Sequence, residues 1–75
     1  MLKDKLFSKS NINIDLSKKI YDIEKIKNVV TTYSDIAKFK VGEIGEYYRV
    51  HLIRSKYDGR VTLKEFENYL IDSMN

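Results

Sequence analysis

Apolar residues in this chain change their spacing three times, and the resulting order of periods leaves few folds open. In Asn11-Ile12-Asn13-Ile14-Asp15-Leu16 they alternate strictly, which puts Ile12, Ile14 and Leu16 on one face of a half-buried strand and Asn11, Asn13 and Asp15 on the other. The interval then lengthens to three and four, so that Ile23, Ile26, Val30, Tyr33 and Ala37 form a helical stripe opposite Glu24, Lys25, Lys27 and Asn28. Asp22 is the expected N-cap, with Tyr21 and Ile26 at the spacing of a hydrophobic staple. From Ala37 the period returns to two: Ala37, Phe39 and Val41, then Tyr48, Val50 and Leu52 against Tyr47, Arg49, His51 and Ile53. Gly42 and Gly45 bracket Glu43-Ile44, and glycine tolerates the positive φ of a short hairpin connection, so these two strands are expected to be antiparallel neighbours. After a turn at Ser55 to Gly59, Thr62-Leu63-Lys64-Glu65 reads as a capping box with Val61 and Phe66 at staple positions. A second helix is thereby predicted from Leu63, its stripe being Leu63, Phe66, Leu70 and Met74 with Tyr69 at the margin.

The order is β-α-β-β-α. A right-handed crossover puts the first helix on one face of the sheet, and the second amphipathic helix needs that same apolar face. The expected fold is therefore α+β, a three-stranded, mainly antiparallel sheet with two helices packed on one face. Strand order 1-3-2, with the third strand inserted between the first two, makes every neighbouring pair antiparallel; order 1-2-3 is the alternative. At 75 residues with no Cys and no Pro, the chain holds one domain that must be stabilised by packing alone. Residues 1–10 read as a flexible Lys-rich segment and residues 11–75 as the domain. No apolar run approaches a membrane span or the h-region of a signal peptide, which points to a cytoplasmic protein without a membrane partner.

Several chemistries lack their residues. Asp58 to Phe66 resembles the second half of a calcium loop, but Arg54 and Lys56 fall where that loop requires oxygen ligands. His51 is the only histidine and no Cys accompanies it, so neither a metal site nor a nucleophile–base pair is in prospect, and it is expected on the surface. Glu43 with Glu46 lies in a turn, and Glu65 and Glu67 point apart on a helix, so acid–base catalysis has no candidate. Neither a catalytic residue nor a cofactor is expected. Charge is uneven: nine Lys and five acids lie in residues 1–40, five bases and six acids in residues 41–75. Alternation of Lys with acids suits a solvated face more than a basic patch. Placing the aromatics leaves Tyr47 on the open sheet face with Lys38, Lys40, Arg49 and His51, a platform for nucleic acid and the second functional reading.

Ile20-Tyr21-Asp22-Ile23-Glu24-Lys25-Ile26, Tyr33-Ser34-Asp35-Ile36-Ala37, Tyr47-Tyr48-Arg49-Val50 and Glu65-Phe66-Glu67-Asn68-Tyr69-Leu70 together resemble the HxsD-like family, named from His-Xaa-Ser repeat peptide systems. The resemblance covers roughly residues 12–71 and rests on hydrophobic positions plus the Tyr-Ser-Asp and Glu-Phe-x-Asn-Tyr-Leu segments. It implies a non-catalytic accessory or peptide-presenting role beside a radical S-adenosylmethionine enzyme that modifies ribosomally made peptides (RiPP maturation). The residues themselves suit such a role. An unpaired sheet edge accepts an extended peptide as an added strand, and the first strand, with Asn11, Asn13 and Asp15 outward, is the poorly defended one. The expected partners are the maturase, its precursor peptide, or both, bound by a monomer or weak homodimer.

Overall fold

A computed structural model describes Ser8–Lys9 and residues 12–74 of the chain. The elements are β1 (Ser8–Lys9), β2 (Asn13–Ser17), α1 (Ile23–Thr32), β3 (Ala37–Ile44), β4 (Tyr47–Ser55) and α2 (Gly59–Ser73). Strand β4 is the middle of the sheet: β3 pairs along one side of it, β2 and the two-residue β1 along the other, all antiparallel. The last predicted strand thus inserts between the first two, the 1-3-2 order, and the β-α-β-β-α architecture is the one that the alternating periods require. Ser8 and Lys9, which the sequence places in the flexible Lys-rich segment, pair with β4 as β1, while residues 1–7, 10 and 11 lie outside the described residues.

Both helices cover one face. Leu16, Phe39, Val50 and Leu52 from the sheet meet Ile26 and Val29 of α1 and Leu63, Phe66 and Leu70 of α2 in a single core. Phe66, fully buried, stands at its centre, with the Phe39 ring 4.4 Å away and the Tyr33 ring edge-on at 6.0 Å. Truncating such a side chain to Ala removes about 3–5 kcal/mol, comparable to everything that the core of a domain this small supplies. The helices run antiparallel: Tyr33 Oη at the end of α1 donates to the Glu65 carbonyl early in α2, while Lys25 Nζ near the start of α1 donates to the Ser73 carbonyl at the end of α2.

Asp22 caps α1 as its side chain predicts, accepting from Glu24 N. The stripe differs in two positions, since Val29 is buried while Val30 is half-buried beside it, and Ala37 is buried from β3, the helix having ended at Thr32. A helix turns 100° per residue, so the β-branched pair straddles the edge of the buried arc, and spacing alone assigns either member to it.

Two turns depart from the sequence reading. Helix α2 begins one turn earlier than the capping box suggests: Asp58 is the N-cap, accepting from Arg60 N and Val61 N, and Thr62 lies inside the helix, buried. Both residues carry N-cap chemistry, and the upstream one starts the helix because Gly59, Arg60 and Val61 adopt helical geometry after it. The hairpin turn is Gly45-Glu46, with Ile44 opposite Tyr47, whereas Gly42 and Glu43-Ile44 belong to β3. Gly45 has φ +58°, the only positive φ among the described residues, and glycine holds it without the steric penalty other residues meet there.

Near the far end of the hairpin the register passes from Phe39↔Leu52 to Lys38↔Arg54, so Ile53 is the extra residue of a bulge. The inserted residue reverses which side the strand shows to the helices. Ser55 therefore turns into the core, fully buried, with its hydroxyl donating to the Tyr57 carbonyl.

Candidate functional site

Strand β2 pairs with β4 alone, so its other side is an edge among the described residues. Which backbone groups face that edge follows from the bonds that flank the ladder. Leu52 N donates to Ile12 O at 3.0 Å, and Lys18 N donates to Glu46 O at 3.0 Å. In an antiparallel pair the bonded positions alternate, so Ile12, Ile14, Leu16 and Lys18 direct their N–H and C=O groups at β4. Asn13, Asp15 and Ser17 direct theirs outward. The predicted edge residues Asn13 and Asp15 are therefore the ones whose backbone is available to an incoming strand, and both are exposed. Asn11 lies outside the described residues.

On the open face, the register brings the two predicted sites into contact. Asp15 sits opposite Arg49, and the guanidinium grips the carboxylate with both prongs, Nε to Oδ1 at 2.7 Å and Nη2 to Oδ2 at 2.9 Å. Hydrogen bonding from Arg49 holds the Asp15 carboxyl below its ordinary value, and the bonded carboxylate raises the Arg49 guanidinium. Arg49 is thus a neutralised member of the basic set that the sequence places on this face. Lys40 lies opposite His51 on β3's side, Asn13 opposite His51 on β2's side, and Tyr47 opposite Ile44, with Lys38 further along opposite Arg54. Tyr47 and Ile44 are both largely exposed and form the apolar corner of the face.

His51, expected at the surface, is half-buried, and its Nε2 is shielded from solvent with no hydrogen-bond partner among the described residues. Its cross-strand neighbours, Asn13 and Lys40, offer neither a hydroxyl or thiol for it to deprotonate nor a carboxylate to orient the ring. The calcium-like stretch is divided between strand and helix: Arg54 ends in β4, and Gly59, the would-be turn glycine, is the first residue of α2. Among the described residues no three His, Asp or Glu side chains converge on one point.

The Asp15–Arg49 pair was beyond sequence reasoning, because it depends on the β2–β4 register across 34 positions of chain. A second ion pair, Lys18 Nζ to Glu43 Oε1 at 2.6 Å, joins the end of β2 to β3 and keeps the Glu43 carboxyl ionised to lower pH through its hydrogen bond to Lys18. No helix among the described residues is long and apolar enough to cross a membrane.

No family model, curated protein or solved structure matches this chain.

Proposed function

We propose that the protein is a non-catalytic binding module that takes up an extended segment of a partner as an added strand on β2. In keeping with its resemblance to the HxsD-like family, the partner is a radical S-adenosylmethionine maturase or the ribosomally made precursor peptide that enzyme modifies. The observation that supports this most strongly is the outward direction of the Asn13 and Asp15 backbone groups on an exposed edge. Main-chain hydrogen bonds supply affinity in strand addition, and the side chains of alternate positions supply selectivity. Short polar residues on β2 leave the approach open, and the Asp15 charge that would discourage a neighbouring strand is cancelled by Arg49.

The test is calorimetry of the full chain, taken as a monomer or weak homodimer, with a radical S-adenosylmethionine maturase and with its precursor peptide. Asn13→Pro and Asp15→Pro each remove one outward donor, whereas Ile14→Pro removes a donor to β4 and serves as the folding control. Folded Asn13→Pro protein that no longer binds supports the edge. Parent-like binding by the proline variants, together with loss of binding in Lys38→Glu/Lys40→Glu, moves the site to the lysine-bearing side of the sheet. A steep decline of that binding with added salt and a preference for an oligonucleotide would favour the nucleic-acid reading of Lys38, Lys40, Tyr47, Arg49 and His51.

A further inference from the structure

The sheet has a second edge with different chemistry. Bonding alternates along β4 as well, so Tyr47, Arg49 and His51 turn their backbone groups to β3, where they meet Ile44, Gly42 and Lys40. Phe39, Val41 and Glu43 therefore direct their N–H and C=O groups away from the sheet, and β3 pairs with no other described strand. Beside this edge, a cleft of about 310 Å³ opens between the end of α1 and the start of β3, lined by Val30, Ser34, Ala37, Lys38, Phe39 and Arg54. Its apolar lining, Val30, Ala37 and Phe39, belongs to the helix-covered face. On the opposite face of β3 stand the exposed Lys38 and Lys40, neither in an ion pair with a described acid, while the strand's own acid, Glu43, is held by Lys18.

From this juxtaposition we propose that the outer edge of β3 is a second strand-acceptor site, for an extended segment in which acidic and apolar residues alternate. Successive side chains of a strand point to opposite faces, so one set lies beside Phe39 and Val41 and reaches the cleft, and the other lies beside Lys38 and Lys40. Lysines on an edge ordinarily repel pairing with a like strand, and acids at the facing positions convert that defence into selectivity. The proposal goes beyond β2 recognition and stands on different residues: with edges on both sides of β4, one copy of the protein joins two chains.

The probe is a capped synthetic peptide alternating Glu with Leu and Val, titrated into the full chain and followed by amide chemical shifts and calorimetry. Saturable binding is expected, with the largest shifts at Val30, Ser34, Phe39 and Val41. Lys38→Glu/Lys40→Glu, or exchange of Glu for Lys in the peptide, should weaken it by about tenfold or more, since facing like charges replace facing opposite ones. Val41→Pro should act similarly, and N-methylation of alternate peptide amides, which leaves the protein untouched, keeps the test decisive if that variant fails to fold. Asn13→Pro should leave this affinity unchanged, so failure here is distinguishable from failure of the β2 reading. Absence of saturable binding, shifts confined to β2, or equal affinity of the Lys peptide or of both N-methylated forms would overturn the proposal.

Discussion

Arg49 and Asp15 face each other across the β4–β2 ladder as a two-pronged ion pair on the open side of the sheet. One contact ties the central strand to its edge and withdraws a cation from the basic face. The folded-state pKa of Asp15 is depressed, so the stability this pair contributes is fully present above the ordinary aspartate range and is lost as pH falls through the lowered value. A carbon-detected titration of the Asp15 carboxyl should show a midpoint below that range, returning to it in Arg49→Gln. Identical midpoints in the two proteins would show that the fork does not persist in solution.

Helix α2 offers a test of its start. Asp58→Ala should lower stability by about 1 kcal/mol, since two backbone donors lose their acceptor, and Asp58→Asn should retain most of it. Urea unfolding followed by circular dichroism measures both. Equal midpoints for Asp58→Ala and the parent would return the cap to Thr62.

The hairpin supplies a matched pair of glycines. Gly45→Ala forces a side chain into the left-handed region and should destabilise by about 1–2 kcal/mol. Gly42→Ala, in extended backbone with open space around it, should be neutral or slightly stabilising. Thermal melts that rank the two variants the other way would place the turn at Gly42.

The residues show why some features were legible and others not. Period-two alternation at Ile12, Ile14 and Leu16, and again from Ala37, reports a sheet with one covered face, because burial on that face demands it. Asp22 is legible for the same local reason, a capping side chain just ahead of the first apolar turn. Thr62 misleads because a capping box is a pattern of residue types, and Asp58 satisfies the same chemistry one turn upstream. The bulge at Ile53 and the Asp15–Arg49 fork depend on register between strands distant in sequence, to which neither propensity nor periodicity refers. The β3 cleft is hidden likewise, since Val30 and Ser34 meet Ala37 and Phe39 only after α1 docks.

Amide hydrogen exchange at β2 tests the central claim most directly, because it reads the outward donors themselves. In the free protein, Ile14 and Leu16 amides should be protected by their bonds to β4, while Asn13 and Asp15 exchange quickly. In the proposed complex with a maturase or precursor peptide, Asn13 and Asp15 should become protected as an incoming strand takes up their donors. A saturated complex in which Asn13 and Asp15 exchange as fast as in the free protein would contradict strand addition at this edge.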